Sequence, residues 1–201
     1  IFDIKELLFI CITSLFYKFI ITKIFLLLKN IILFLDLLCI FVIIEVELVI
    51  MKALITGASS GIGKDMAIYL SECGFDLILC GRNKESLEQL QSSLKTKVKV
   101  IIIDLADEKK VKDLYMVTRN ENVDVLINNA GFGLFGDYNS CDLLTELKMI
   151  DVNVRAVHIL TRMFLKDMVK RNKGYILNVA SSAGLLRGGP LLSTYYATKS
   201  Y

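Results

Sequence analysis

The sequence Lys52-Ala-Leu-Ile-Thr-Gly-Ala-Ser-Ser-Gly-Ile-Gly63 decides the fold of this chain. It joins a short apolar run, Lys52–Thr56, to a glycine-rich turn, and an amphipathic stretch at about 62–73 follows. A strand that leads through glycines into a helix places backbone N–H groups and the positive end of the helix dipole at the turn. This arrangement suits a pyrophosphate, because glycines let phosphate and backbone approach closely.

The glycines of this turn are spaced G-x-x-x-G-x-G, which differs from the commoner dinucleotide spacing G-x-G-x-x-G. An ordinary strand-to-helix turn is the alternative interpretation. The position directly after the first strand and before a helix nevertheless favours a nucleotide site. We therefore predict that this turn binds the phosphates of a cofactor, through Gly57, Ser59, Ser60, Gly61, Ile62 and Gly63.

Downstream of the turn, short apolar runs alternate with amphipathic stretches. Strands are predicted at 76–80, 98–103, 123–127 and 175–179, and helices at about 84–94, 107–119, 143–171 and from 193 onward. Gly74 is expected to end the first helix, and Asn83 and Asp107 to cap the next two. Strands separated by such helices imply right-handed βαβ units and a parallel sheet. The predicted fold class is therefore α/β, a Rossmann-type doubly wound parallel sheet with helices on both faces, in a single domain at 51–201.

The residues after the second strand bear on which ribose the site accepts. An acidic residue there would accept hydrogen bonds from the free 2′-hydroxyl of NAD, but the sequence is Cys80-Gly-Arg-Asn83. Arg82 can pair with a 2′-phosphate through its planar guanidinium group, although it also suits a solvated loop. We predict a preference for NADP(H), with NAD(H) as the alternative.

A tyrosine and a lysine four residues apart, Tyr195 and Lys199, share one face of the predicted last helix. A neighbouring ammonium group favours the phenolate form of a tyrosine, which can then exchange a proton with a carbonyl or an alcohol. Ser182 lies thirteen residues before Tyr195, just after the fifth strand, where its hydroxyl can hold a substrate oxygen. The adjacent Ser181 and Tyr196 fit this spacing less well.

Together these motifs resemble the short-chain dehydrogenase/reductase family. The match consists of Gly57-x-x-x-Gly61-x-Gly63, Asn128-Asn-Ala-Gly131, Asn153, Ser182 and Tyr195-x-x-x-Lys199, over about residues 51–201. The resemblance implies an oxidoreductase that transfers a hydride between a nicotinamide cofactor and a carbonyl or secondary alcohol. A non-catalytic NADP(H)-sensing regulator and a nucleotide-sugar epimerase or dehydratase are alternatives, the first usually lacking the tyrosine or lysine and the second usually spaced G-x-x-G-x-x-G.

The resemblance also implies a role for each matching residue. Tyr195 is the expected general acid and base, Lys199 assists it and binds the nicotinamide ribose, and Ser182 stabilises the substrate oxygen. Asn153 is the expected support of a proton-relay water beside the lysine. Further expected cofactor contacts are Thr56, which orders the turn, Asp104, which contacts the adenine, and Asn129, Ala130 and Gly131, which shape the crevice.

The two ends of the chain carry separate expectations. Residues 1–50 are strongly apolar and contain no Gly, Ala, Pro, Arg or Met. Membrane helices usually contain small residues, so we expect a translated upstream region with the natural start at Met51, and a membrane anchor as the alternative. The resemblance further implies elements after Tyr201. The chain is thus expected to be truncated at its C-terminus, unstable and inactive as written, and a homo-oligomer in its full-length form.

Composition narrows the possible partners. The net charge is +3 and its basic residues are scattered, which argues against a nucleic-acid surface. Five cysteines without a CxxC pair and a single histidine argue against a zinc site and a disulfide framework. We expect reduced thiols in a cytoplasmic protein whose partner is a small carbonyl or alcohol substrate of undetermined identity.

Overall fold

The computed structural model describes residues 50–201, and these belong to one compact unit, Val49–Tyr201. Residues 1–50 were expected to be a translated upstream region or a membrane anchor. Apart from Ile50, this segment lies outside the described residues. Within 50–201, no helix combines the length and the apolar character needed to cross a membrane.

Five parallel strands form the centre of the molecule, in the order β3-β2-β1-β4-β5. The first strand is therefore central, and Ile55 lies in register with Leu79 on one side and Ile127 on the other. After β3 the chain crosses to the opposite side of β1, which creates a switch point between β1 and β4. The strands are β1 Lys52–Thr56, β2 Asp76–Gly81, β3 Val98–Ile102, β4 Val125–Asn128 and β5 Tyr175–Asn178.

The connecting helices begin where their caps predict. The Asn83 side chain accepts a hydrogen bond from the Ser86 N–H at 3.0 Å, and the Asp107 side chain accepts from two N–H groups of the next helix. Gly74 ends the first helix with a positive φ of 86°. The helices are α1 Gly61–Glu72, α2 Lys84–Ser93, α3 Glu108–Thr118, α4 Leu143–Ile150, α5 Val157–Arg171 and α6 Ser193–Ser200, with 3₁₀ turns at Arg119–Glu121 and Ser182–Leu185.

Two hydrophobic clusters cover the two faces of the sheet. Alternate residues of β1 point to opposite faces, so Leu54 joins one cluster while Ala53 and Ile55 join the other. The Leu54 cluster includes residues of α3 and α5, and the Ile55 cluster includes residues of α1 and α2. The predicted doubly wound α/β fold with helices on both faces is thereby confirmed.

Beyond shifts of one residue at the ends of elements, the structure differs from the predicted elements at two places. The stretch 143–171 is helical throughout, but Asp151–Ala156 is wound as a π-helix between α4 and α5. The fourth strand starts at Val125 rather than Val123. Directly before it, the Asp124 carboxylate rather than a backbone carbonyl accepts the N–H of Lys52, at 3.0 Å. The π-helical segment matters for the site, since Asn153 lies in it.

Candidate active site

A cleft of about 580 Å³ opens along the carboxyl ends of all five strands. In open parallel sheets this edge, beside the switch point, is where ligands bind. Each strand delivers at least one residue to its wall: Gly57 after β1, Gly81 and Arg82 at the end of β2, Ile103 and Asp104 after β3, Asn129 to Phe132 after β4, and Val179 and Ala180 after β5.

The glycine turn forms one end of the cleft and leads into α1. Ser60 is the N-cap residue of this helix but makes no side-chain capping hydrogen bond, and the first turn contains no acidic residue. Helices α2, α3 and α4 are capped by Asn83, Asp107 and Asp142, and each has a glutamate in its first turn. The start of α1 therefore lacks the side chains that occupy the place of an anion at the starts of α2, α3 and α4.

Two glycines let this turn lie directly against the segment that follows β4. Gly57 has a φ of +67°, and a Cβ atom there would lie 2.8 Å from the Cα of Ala130. A Cβ at Gly63 would lie 2.4 Å from Nδ2 of Asn129 and 2.5 Å from the carbonyl oxygen of Gly57. Nδ2 of Asn129 donates to the carbonyls of Thr56 at 2.9 Å and Gly57 at 3.2 Å, which fixes the shape of the turn.

Thr56 links the end of β1 to β4 and to the segment that follows β4. Its side chain is buried, and Oγ1 donates to the carbonyl of Ile127 at 3.2 Å. The same oxygen accepts the N–H groups of Asn129 at 3.0 Å and Ala130 at 3.1 Å. These hydrogen bonds join the end of β1 to the segment that follows β4, and Thr56 does not form part of the cleft wall.

The side of the cleft near β2 and β3 carries the expected ribose and adenine residues. Arg82 and Asn83 are exposed there, and Asp104 is half-buried with its carboxylate accepting the N–H of Ala106 at 3.1 Å. Cys80 lies behind them, fully buried, and burial strongly raises the pKa of its thiol. A thiol held protonated in this way is not a nucleophile.

At the other end, α6 presents Tyr195 and Lys199 to the cleft. Both residues are half-buried, and the Lys199 ammonium donates to the carbonyl of Val179 at 3.2 Å. Ser182 begins the short 3₁₀ helix, is exposed and lies outside the cleft wall. The Ser181 hydroxyl accepts the N–H of Ala183 at 3.2 Å and so caps this turn, which leaves Ser182 as the better candidate to meet a substrate.

Asn153 is buried, lies outside the cleft wall, and forms hydrogen bonds with the backbone of Phe132 and the side chain of Thr198. Its Oδ1 accepts the N–H of Phe132 at 3.1 Å, and its Nδ2 donates to the Phe132 carbonyl at 2.9 Å and to Thr198 Oγ1 at 3.0 Å. Thr198 was not foreseen from the sequence. Its position directly before Lys199 on a helix that was predicted to carry the site is the only sequence signal that points to it.

Most of the predicted site residues come together in this one cleft. Those in its wall are Gly57, Ser59, Ser60, Gly61, Ile62, Arg82, Asp104, Asn129, Ala130, Gly131, Tyr195 and Lys199, whereas Thr56, Gly63, Asn153 and Ser182 lie outside it. Sequence reasoning missed other wall residues, among them Ile103, Leu105, Val152 and Val179, because small and apolar side chains carry no motif. Among residues 50–201, no three His, Cys, Asp or Glu side chains lie together as metal ligands would.

Comparison with known proteins places the chain in a family. Residues 51–200 match the family described as short chain dehydrogenase. An uncharacterized short-chain type dehydrogenase/reductase of Sinorhizobium fredii is 40% identical over 150 residues, which are 74% of this chain and 58% of that protein. The human very-long-chain 3-oxoacyl-CoA reductase is 35% identical over 158 residues, 74% of this chain and 50% of that protein.

A solved structure agrees with these relatives. A short-chain dehydrogenase from Sphingobium yanoikuyae in complex with NADPH superposes with a TM-score of 0.70 at 29% identity, over 75% of this chain and 60% of that one. The chain thus belongs to the short-chain dehydrogenase family. It spans between half and three-fifths of the length of the two curated relatives.

Proposed function

We propose that this protein is an NADP(H)-dependent oxidoreductase that interconverts a carbonyl compound and the corresponding secondary alcohol. The observation that carries the proposal is the shared cleft: the uncapped, glycine-rich start of α1 and the Tyr195–Lys199 pair line the same cavity. A phosphate site and a proton-transferring group that line one cavity would suit a single elongated ligand.

The cleft fits a nicotinamide dinucleotide phosphate. The close approach of Gly57 and Gly63 to Asn129 leaves no room for a side chain at either glycine, and the turn so shaped can offer its backbone N–H groups to a pyrophosphate. Arg82 is exposed in the wall beyond β2 and would pair with the 2′-phosphate. The Sphingobium relative is described in complex with NADPH, which supports the same choice here.

The proposed mechanism assigns a task to each residue at the other end of the cleft. When bound, the cofactor supplies or accepts the hydride. The Tyr195 hydroxyl donates a proton to the substrate oxygen during reduction and removes it during oxidation, and the nearby ammonium of Lys199 stabilises the phenolate that results. Ser182, which is exposed outside the cleft wall at the start of the 3₁₀ helix, is the proposed hydrogen-bond donor to the substrate oxygen. Asn153 holds the segment at Phe132 in place and supports the supply of protons to Lys199.

The first substrate to test is a 3-oxoacyl thioester. The human relative is named for reducing a very-long-chain 3-oxoacyl-CoA, and a chain with 35% identity to it is reasonably tested on the same functional group. A non-catalytic regulator is less well supported, because this chain retains both Tyr195 and Lys199. Epimerase or dehydratase chemistry is less well supported, because the glycine spacing is G-x-x-x-G-x-G.

The test separates binding from chemistry. In the full-length protein, NADPH is titrated while its fluorescence is followed, and reduction of acetoacetyl-CoA is measured as loss of NADPH absorbance. Tyr195→Phe should bind NADPH as the unaltered protein does and lose turnover by at least about a hundredfold, because general acid catalysis is removed. Tyr196→Phe is the matched control, since that neighbouring side chain is not in the cleft wall. Failure of a folded protein to bind NADPH would refute the proposal.

Cofactor preference is tested by exchanging the residues after β2. The pair Gly81→Asp with Arg82→Ala introduces an acceptor for a free 2′-hydroxyl and removes the partner of the 2′-phosphate. The ratio of NADPH to NADH dissociation constants should reverse in favour of NADH. An unchanged ratio would show that Arg82 is only a solvated loop residue.

A further inference from the structure

A buried hydroxyl lies inside the helix that carries the proposed acid and base. Thr198 is 5% exposed and sits on α6 between Tyr195 and Lys199. Its Oγ1 donates to the carbonyl of Tyr195 at 2.9 Å and accepts from Nδ2 of Asn153 at 3.0 Å. A hydroxyl has one hydrogen to donate, and here that hydrogen goes to the carbonyl of the residue proposed to transfer the proton.

The partner of this hydroxyl is tied to the cleft at its other end. Asn153 uses its remaining amide hydrogen and its Oδ1 to bind the backbone carbonyl and N–H of Phe132, which lies in the cleft wall. One buried amide therefore joins three segments: the π-helix Asp151–Ala156, the loop after β4, and α6. Residues 153 and 198 are 45 apart in sequence, so this bond is a long-range link between separately formed elements.

The same link lies beside the Lys199 ammonium. A Cβ atom at Gly131, the residue before Phe132, would lie 3.1 Å from Oδ1 of Asn153 and 3.3 Å from Nζ of Lys199. The Asn153 amide and the lysine head therefore border the same glycine. A shift of α6 along its axis would move Lys199 away from this glycine and from the carbonyl of Val179 that it binds.

We propose that Thr198 is a positioning residue, whose hydroxyl sets the position of α6 against Asn153 and so places Tyr195 and Lys199 in the cleft. This inference rests on the proposed oxidoreductase function. Loss of the hydroxyl leaves the buried Nδ2 of Asn153 with one acceptor fewer, and a buried donor without a partner is unfavourable enough to move its surroundings. The effect falls mainly on turnover, because the hydrogen bonds of Thr198 run to Asn153 and to Tyr195 and not to the phosphate turn, where most of the proposed cofactor contacts lie.

The experiment compares variants that keep and remove the hydroxyl. Thr198→Val and Thr198→Ala remove it, and Thr198→Ser retains it. Thr118→Val is the matched control: Thr118 is also buried in a helix, and its Oγ1 also donates to a backbone carbonyl, that of Leu114 at 2.7 Å, but it lies in α3 outside the cleft wall. NADPH sites per chain, the NADPH dissociation constant and kcat for acetoacetyl-CoA per NADPH site are measured for each.

Without the hydroxyl, kcat per NADPH site is expected to fall about tenfold, with the dissociation constant changed less than about twofold. Thr198→Ser should recover most of the turnover, and Thr118→Val should leave kcat per site unchanged. A merely structural role would lower the number of NADPH sites instead of kcat per site. Unchanged kcat per site without the hydroxyl, or equal loss in Thr198→Ser, would overturn the proposal. A full-length, unaltered protein that binds NADPH but reduces no carbonyl substrate would refute the proposed function itself.

Discussion

Replacing Gly184 by alanine tests how closely the 3₁₀ helix Ser182–Leu185 must approach α6. A Cβ atom on Gly184 would lie 2.2 Å from the carbonyl oxygen of Lys199 and 2.9 Å from its carbonyl carbon. Both are backbone atoms, which cannot rotate away as a side chain can. Since ordinary carbon contacts are about 3.5 Å or longer, one of the two helices must move by about 1 Å. The displaced segments carry Ser182 and Lys199.

The size of the effect follows from that displacement. Overpacking a tightly packed contact costs about 1–3 kcal/mol of folding stability, which lowers the melting temperature by roughly 2–12 °C in a domain of this size. A misplacement of about 1 Å in an active site lowers turnover about a hundredfold. We expect Gly184→Ala to lose about that factor in kcat for acetoacetyl-CoA while it retains NADPH binding at the glycine turn.

Gly136→Ala is the control for this prediction. A Cβ there would meet only Sγ of Cys141, at 3.0 Å, and a thiol on a surface loop can turn aside. Its kcat should therefore remain within about threefold of the unaltered protein, because nothing in the cleft is displaced. If Gly184→Ala kept the turnover of the unaltered protein, the close approach of the two helices would have no part in placing the site.

Two further changes test other parts of the structure. Gly63→Ala should weaken NADPH binding about tenfold, because the added methyl group would collide with Nδ2 of Asn129 and shift the glycine turn. An unchanged NADPH dissociation constant in a titration would show that the close packing of this turn against Asn129 is not needed for binding. Hydrogen bonds from Lys52 and Lys99 lower the pKa of Glu121 from 4.5 to about 2, so the stabilisation is present above pH 4.5 and is lost as the pH falls toward 2. As the pH falls over this range, the melting temperature of Glu121→Gln should accordingly decrease less than that of the unaltered protein. If the two melting temperatures decrease in parallel with pH, the Glu121 carboxylate does not contribute to stability in this way.

Much of the fold could be predicted because its signals are local. The first strand has the predicted bounds, Lys52–Thr56, since a continuous apolar run ends there at a glycine. The start of α2 follows from Asn83, whose side chain caps a helix in the way its position suggests. The π-helical winding at Asp151–Ala156 has no such local signal, because the sequence from 143 to 171 is compatible with an uninterrupted α-helix.

The candidate site was predictable where a residue's type states its chemistry, as with Tyr195, Lys199 and the glycines of the turn. The site was not predictable where a residue's role depends on its contact with a residue far away in the sequence. Nothing around Gly184 indicates that Lys199 will pack against it, and nothing around Thr198 indicates that Asn153 will reach its hydroxyl. Motifs identify the groups proposed to do the chemistry, whereas the contacts that position those groups appear only once the chain is folded.

The bond between Thr56 and the Asn129 N–H has a consequence for the order of events during synthesis. It joins residues 73 apart, so the first strand leaves the ribosome long before its neighbour on the β4 side exists. Closing so long a loop is among the slower steps available to a chain of this size. Until it closes, the glycine turn has no opposite wall and the nascent chain has nowhere to hold a dinucleotide. A cofactor that binds only after this contact has formed stabilises the folded chain over the unfolded one, and does not assist the earlier steps of folding.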